Sequence, residues 1–367
     1  MGNSHVSVLE LNQNALEHNI TYFKNKLQPN IKLMAVVKAY AYGHDSAVLS
    51  KILEKNKVDY LAVAYTEEGV ILRKAGVNLP ILVLHAQIRS YASLLEYNLE
   101  PNIYSENTLA AFIDFATKNK LSSYPIHLKF NTGLNRLGFA QNDTHKIISY
   151  LKHNDCLKIQ SVFSHLSASE DLNESEFTKN QIRKFNTIRK NFLDTFDYNI
   201  DFHLSNTSGI INYPEAHYDM VRLGIGMYGF GNDIKETVQL KNVGSLKTII
   251  SQIHVVNIGE SLGYNRAYFA KEKIKTATLP IGHADGLSRE LGNKKGSVKI
   301  KNIKCPILGN VCMDMIMVDI SNVDCKEGDE VIIFDNQEMV NELAKNSNTI
   351  SYEIITGISQ RITRKLI

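Results

Sequence analysis

The 367-residue chain is long enough for two domains with sizeable cores, and its 44% hydrophobic and 22% charged content is ordinary for a globular protein. A formal net charge of +3, with no basic run interleaved with aromatics, speaks against nucleic acid and anionic membrane as partners. No apolar run approaches the roughly 20 residues of a membrane span, the first residues lack a signal pattern and Val6 spoils a myristoylation match, and Cys156, Cys305, Cys312 and Cys325 show no CxxC or zinc-like spacing, so a reduced, cytoplasmic enzyme without metal is expected.

The first helix is predicted from Leu16, Ile20, Phe23 and Leu27 on one face, with Asn12 or Asn14 as cap. Strands are predicted at Lys32–Val37, Tyr60–Ala64, Ile81–Leu84, Glu100–Ile103, Ile126–Phe130, Ile159–Ser164, Ile200–Leu204 and Tyr218–Val221. Helical patterns lie between them, the clearest carrying Ile182, Phe185, Ile188 and Phe192 on one face. Eight strands alternating with helices imply parallel β/α units, and eight is the number that closes a barrel. A doubly wound sheet is the alternative, but no GxGxxG turn follows the first strand.

After about Asn232 the texture changes to β-rich runs, among them LKTIISQIHVVNIG, KIKTATLPIG, SVKIKNIKCPILG and DEVIIFD, with one convincing helix at Met339–Lys345. The reading is an α/β chain. A TIM-like (β/α)8 barrel covers residues 8–235, a mostly β C-terminal domain covers 236–367, and residues 1–7 are free to pair with the latter.

In such a barrel the chemistry sits at the carboxyl ends of the strands. Lys38 follows the first strand, Lys129 and Arg136 bracket the end of the fifth, and His165 follows the sixth. Ser205-Asn206-Thr207-Ser208 follows the seventh, and Arg222-Leu223-Gly224-Ile225-Gly226 the eighth. Lys38 admits two readings: a snorkelling side chain at the barrel rim, or a desolvated amine with a lowered pKa, able to attack carbonyls. HLSNTSG and RLGIGMYG read singly as a polar cap and a glycine-rich turn. Together they occupy the loops where these barrels often hold a phosphate. A lysine near the mouth and a phosphate cradle opposite suggest pyridoxal phosphate. Arg222 is either a structural ion-pair partner or a permanent cation beside a pyridine ring, whose proton it cannot accept. His165 is either a satisfied core or rim histidine, or a group that orients a neighbour by hydrogen bonding or stacks on the ring.

AVVKAYAYGH, KFNTGLNRLGF, FSHLSAS, HLSNTSG, DMVRLGIGMYG, GYNRAYFA, IGHADG, GNVCMDM and SYEIITGIS, in this order across nearly the whole chain, resemble the alanine racemase family. The resemblance implies a barrel plus a C-terminal β domain, a head-to-tail homodimer with shared active sites, and interconversion of L- and D-alanine on pyridoxal phosphate. It implies Lys38 as cofactor attachment and one catalytic base, and Tyr264, from the other subunit, as the opposing base. Arg222 would sit on the pyridine nitrogen, with His165 linking it to Tyr264. Tyr42, Asn206, Thr207, Gly224, Ile225 and Tyr352 match cofactor-holding positions. Arg136 and the backbone of Met313 match groups that orient the substrate carboxylate, Asp314 neighbours that contact, and Lys129 matches a lysine carbamylated in some members. The implied cellular role is supply of D-alanine for peptidoglycan.

The sequence departs from the family pattern at Tyr40, where a small polar residue is usual, and at Asp45, where glycine is. Asn131 replaces an aspartate, and His283 a tyrosine that lines the substrate entrance. These changes bear on side-chain preference, affinity or pH optimum. Racemisation of serine or another amino acid therefore stands as an alternative. A decarboxylase of the same fold is another, since Cys312 lies near the expected site, although Arg222 stands where that chemistry would want an acid. A cofactor-handling barrel is the non-enzyme alternative, for which Tyr264 and the second domain would be superfluous.

Overall fold

The structure, a computed structural model, describes residues 6–367. Its first strand, β1 (Val8–Leu11), is followed by a helix at Gln13–Lys24, which starts because the Asn12 Oδ1 accepts the Ala15 N–H at 2.9 Å. Leu16, Ile20 and Phe23 are buried on its inner face, while Leu27 lies beyond its end.

Eight strands then form one parallel sheet: β2 (Lys32–Val36), β3 (Tyr60–Val63), β4 (Ile81–Val83), β5 (Glu100–Ile103), β6 (Tyr124–Lys129), β7 (Leu157–Phe163), β8 (Asp201–His203) and β9 (Met220–Leu223). Both ends of that sheet meet. β2 pairs with β9 in parallel, Ala35 opposite Leu223. The Asp219 and Arg222 N–H groups donate to Phe202 O and Ser205 O, each at 3.0 Å, and join β8 to β9. The predicted barrel is present, and its strands read as apolar runs because both faces are covered.

The last barrel strand lies two residues later than the sequence predicts. Tyr218 has φ of +51°, a left-handed turn that strand geometry excludes, so pairing begins at Met220. Arg222 is thereby part of the strand, buried, rather than in the loop after it.

The C-terminal part is built on a nine-stranded sheet and a small hairpin. Its strands are β10 (Gly244–Ile249), β11 (Gln252–Val256), β12 (Ser261–Leu262), β13 (Tyr268–Phe269), β14 (Ile274–Leu279), β15 (Ser297–Ile300), β16 (Ile303–Leu308), β17 (Ile316–Asp319), β18 (Glu330–Phe334) and β19 (Thr363–Leu366). The sheet order is β11-β14-β17-β16-β15-β18-β10-β1-β19, and β12 pairs with β13. β1 lies between β10 and β19, so residues 8–11 belong to this sheet and not to the barrel, which corrects the N-terminal limit of 8. The alternation of β1 explains it: Leu9 and Leu11 are buried while Val8 and Glu10 are not. The expected pairing of residues 1–7 falls largely outside the described residues, although Ser7 Oγ is 2.8 Å from Thr248 Oγ1 on β10.

The helix predicted at Met339–Lys345 spans Gln337–Asn346, capped by Asn336. A second, Ser351–Thr356, was not anticipated: six residues without a side-chain cap give little periodic signal. It presses on the turn after β2, where a Cβ on Gly43 would lie 2.1 Å from Ile355 O. Arg364 on β19 donates from Nε and Nη2 to Gly43 O at 3.1 and 2.9 Å, tying both parts together under the barrel mouth. No helix among the described residues is long and apolar enough to cross a membrane.

Candidate active site

The site begins with a costly turn. Ala39, Tyr40, Ala41 and Tyr42 all have φ between +52° and +56°, one left-handed helical turn directly after Lys38. Each such L-residue costs about 1–2 kcal/mol, and such strain persists only where neighbours impose it. Here Ala41, Gly43 and Asp45 donate their N–H groups to Val37 O, Ala39 O and Tyr40 O at 2.9–3.0 Å. Glu68 accepts the Ala39 N–H at 2.7 Å through Oε1 and the Ala64 N–H at 2.6 Å through Oε2. Two departures from the family pattern prove to be one local pair, since the Tyr40 hydroxyl donates to Asp45 Oδ2 at 3.0 Å. Asp45 Oδ1 also caps the next helix by accepting from Ala47 N and Val48 N.

This turn aims Lys38 into a cavity of about 480 Å³ at the carboxyl ends of the strands. Lys38, Tyr42, Lys129, Arg136, His165, Asn206, Thr207, Arg222, Gly224, Ile225 and Tyr352 all line it, so the structure unites these predicted residues. Four are cations, and among the described residues none of the four is in an ion pair with a carboxylate. Burial, then Arg136 and Arg222, pulls the Lys38 pKa down, while Glu68 acts against them. Burial, then Arg136, Arg222 and Lys38, brings Lys129 down to about 8. His165 is driven well below its ordinary value by burial and then by Arg222, and is neutral. A cavity so charged is made for a ligand with more than one negative group.

Arg222 forms the floor. Nη1 donates to His203 Nδ1 at 2.7 Å, and Nη2 to Ser164 O at 2.8 Å, Leu204 O at 2.9 Å and His165 Nδ1 at 3.2 Å. Burial and Arg136 lower its pKa, but guanidinium keeps its charge in proteins and only donates. Both histidines therefore present a bare Nδ1 to it.

Opposite, Thr207 Oγ1 accepts the Gly224 and Gly226 N–H groups at 3.1 and 3.4 Å, shaping the loop after β9. A Cβ on Gly224 would lie 3.0 Å from Tyr42 Oη, so any larger residue would press that hydroxyl out of place. Burial raises the phenol pKa of Tyr42 and brings that of Tyr352 up to about 12, keeping both as O–H donors. Asn206 Oδ1 accepts from Gly209 N at 2.9 Å and Ser169 Oγ at 2.8 Å, which spans the strand-end loops. Asn131 keeps the loop before Arg136 by accepting the Gly133 and Asn135 N–H groups, a role that needs an oxygen and not a charge.

The remaining predicted residues do not join this cavity within one chain. Tyr264, Met313 and Asp314 line a separate open cavity of about 560 Å³ on the C-terminal domain, and His283 lines a third with Arg289. Tyr264 is 72% exposed and Met313 59%. The expected link from His165 runs to the Tyr264 of another copy; within one chain the two line separate cavities. Asp314 is held by Arg361 Nη2 at 2.6 Å, and Arg361 also grips buried Asp285 at 2.7 and 3.0 Å.

Sequence reasoning missed Glu68, His203 and Phe163. Glu68 was visible as the third helical residue in YTEEG. Phe163 stacks on His203 at 4.7 Å and lies under Lys129 and Arg222, 5.8 and 5.5 Å from its ring centre. Its signal was its position at the carboxyl end of a barrel strand.

Comparison with known proteins gives this fold and site a class. Residues 11–231 match the family described as alanine racemase, N-terminal domain, and residues 243–366 its C-terminal domain. The chain is 36% identical to the alanine racemase of Halothermothrix orenii over 97% of this chain and 95% of that one. It is also 36% identical to the alanine racemase of Helicobacter pylori strain J99 over 98% of each. Among solved structures it resembles alanine racemase of Clostridium difficile 630 with a TM-score of 0.93 and 32% identity, covering 99% of this chain and 96% of that one. It also resembles the Bartonella henselae enzyme, described with covalently bound pyridoxal phosphate, with a TM-score of 0.88 and 26% identity over 99% of this chain and 100% of that one. The chain belongs to the alanine racemase family and is an isomerase of that class.

Proposed function

We propose that this protein interconverts L- and D-alanine with pyridoxal phosphate held in the barrel mouth. The observation that carries the reading is the set of four cations around one cavity, with the amine of Lys38 facing a cradle built by Tyr42, Thr207 and Gly224. The residues fit the cofactor. Neutral phenols and a loop with no Cβ at Gly224 suit a phosphate, Arg222 suits a ring nitrogen, and a lysine of lowered pKa suits an aldehyde. Bound there, the cofactor supplies an electron sink that acidifies the substrate's Cα–H.

This chain's residues then do the rest. Lys38 Nζ removes or delivers the Cα proton on one face. The Tyr264 hydroxyl of a second copy does so on the other, so the proton leaves one side and returns on the opposite one. Arg222 would hold the ring nitrogen as a donor that cannot yield a full proton to it, a setting that would limit electron withdrawal and favour return of the proton to Cα. Arg136 and the Met313 backbone orient the carboxylate, with Lys129 beside Arg136 and His283 at the entrance. Asn206, Ile225 and Tyr352 complete the cofactor pocket. The wide exposure of Tyr264 and Met313 supports a homodimer whose copies complete one another. A domain boundary between 235 and 236, a cytoplasmic location and a role in supplying D-alanine for peptidoglycan belong to the same proposal.

The test is proton NMR of L-alanine in D2O with the protein and pyridoxal phosphate, beside a chiral assay and a Lys38→Ala control. Loss of the Cα–H signal with D-alanine accumulating, both absent in the control, is expected. Exchange without inversion would remove Tyr264 as the second base, and loss of CO2 would revive the decarboxylase reading.

A further inference from the structure

The interior of a β/α barrel is ordinarily filled with layers of branched apolar side chains. Here a polar chain crosses it. His203 on β8 is 2.9 Å from Ser161 Oγ on β7 through Nε2, and Ser161 Oγ is 2.6 Å from His127 Nδ1 on β6. His127 Nε2 is 2.8 Å from Glu100 Oε2 on β5, and that oxygen also accepts the Tyr60 hydroxyl of β3 at 2.6 Å. His203, Ser161, His127 and Tyr60 are buried. The mechanism uses none of these residues except through Arg222.

Every direction in the chain follows from its first member. Arg222 can only donate, so His203 Nδ1 accepts and its proton resides on Nε2. His203 Nε2–H then donates to Ser161 Oγ, and the single Ser161 proton goes to His127 Nδ1, the one other partner of that hydroxyl among the described residues. His127 carries its own proton on Nε2 and gives it to Glu100. Reversing one member would set two donors against each other somewhere along the line. The chain thus runs from a cation at the mouth to a carboxylate at the far end of the strands. Glu100 is free for this role. Neighbouring Asp201 is paired with Lys32 at 2.7 Å, and Arg73 spends its donors on the carbonyls of Tyr97, Val77, Leu79 and Asn98. A fully satisfied buried network orients each member more firmly than separate pairs do, and a half-satisfied one is costly.

We propose that Glu100, Tyr60, His127 and Ser161 are positioning residues for the cofactor: they lock the His203 tautomer and so hold the Arg222 guanidinium toward the ring nitrogen. The inference rests on the pyridoxal phosphate reading above. With the relay intact, His203 offers Arg222 a fixed acceptor. With it cut, the imidazole can place a proton on Nδ1, repel Nη1 and let the guanidinium turn from the ring.

The experiment separates this proposal from the function it rests on. Borohydride reduction of the wild-type protein loaded with pyridoxal phosphate, followed by peptide mapping, should mark Lys38. An unmarked Lys38 sinks the proposed function and thereby the cofactor role of the relay. Nitrogen-15 NMR of the histidine side chains, on cofactor-free wild type, reads the relay itself. His203 and His127 should both show the neutral Nε2–H form, and an Nδ1–H form at either would overturn the proposal.

Ser161→Ala should mix the tautomers at both rings. It should lower kcat for racemisation about tenfold, the size of one lost hydrogen bond, with KM for alanine nearly unchanged, and raise the pyridoxamine phosphate formed per turnover. Ser161→Thr, which keeps the hydroxyl, should restore both. Glu100→Gln keeps an acceptor but removes the charge, and should shift the tautomers and the partition in the same sense by less. If Ser161→Ala does not fold, Glu100→Gln decides. Wild-type tautomers and wild-type partition in the folded variants would overturn the proposal, because a merely structural role moves the melting temperature and not the partition.

Discussion

The barrel mouth and the Tyr264 face of the C-terminal domain both carry predicted site residues, yet they are built differently. At the mouth, side chains arrive from several strands, Lys129 and Arg222 are buried, and Arg222 is held by hydrogen bonds to His203, Ser164, Leu204 and His165. On the other face Tyr264 and Met313 stand largely exposed, on short irregular segments, with Asn265 and Arg266 in left-handed backbone. The mouth is preorganised by its own chain, whereas the face leaves its predicted residues exposed around an open cavity. Enclosed cations are costly without anions, and exposed apolar groups are costly without a partner. In the proposed homodimer each region would supply what the other lacks.

The sharpest way to break this comparison is to disable each side separately. Lys38→Ala should lose at least ~10³-fold of the racemase activity, since both attachment and one base go with it. Tyr264→Phe should lose at least ~10²-fold. Refolded together in equal amounts, the two inactive variants should recover about a quarter of wild-type activity, since half of the dimers are mixed and each mixed dimer has one intact site. No recovery would mean that both residues act within one chain.

A second measurement sharpens the mouth alone. Lys129 has a folded pKa of about 8 against an ordinary value of 10.5. Between those values the unfolded chain binds more protons than the folded one, so stability increases with pH across that window. Below it both states are protonated and the penalty is fully present. The melting temperature of cofactor-free protein should therefore rise between about pH 8 and 10. Lys129→Met should flatten that rise, and the lowered pKa of Lys38 acts in the same direction. An anionic cofactor should flatten it as well, by supplying the missing countercharge.

The face is probed more gently at Arg361, which holds Asp314 and Asp285. Arg361→Gln should loosen the Met313 segment and raise KM for alanine a few-fold, with kcat less affected, because the guanidinium is partly exposed and screened. The smallest effect concerns the turn after Lys38. Ala39→Gly should stabilise the protein by ~0.5–1 kcal/mol, since glycine adopts the left-handed conformation without the Cβ clash. Differential scanning calorimetry would register this as a rise of a few degrees at most. A fall would show that the turn is less strained than its dihedral angles imply.

Much of the barrel was legible because each strand is a short apolar run bounded by a helical pattern. Lys38, Lys129 and His165 could be placed because they follow such runs. Arg222 was assigned to a loop because a left-handed Tyr218 leaves no mark in composition. The inward layer of Glu100, His127, Ser161 and His203, and the short helix bearing Tyr352, were hidden. Their significance depends on which neighbours lie across the barrel or beneath the mouth.

From the sequence alone came the alternation that makes a barrel, the β-rich second part, and a lysine at the end of the first barrel strand. These are local properties of period, length and residue type, which a chain carries before it folds. The tertiary structure alone decided that residues 8–11 join the distant sheet, that four cations share one cavity with no paired carboxylate among the described residues, and that one line of polar contacts joins His203, Ser161 and His127 across the barrel. Those outcomes depend on sheet pairing, burial and donor direction between residues far apart in the chain, and no local pattern encodes them.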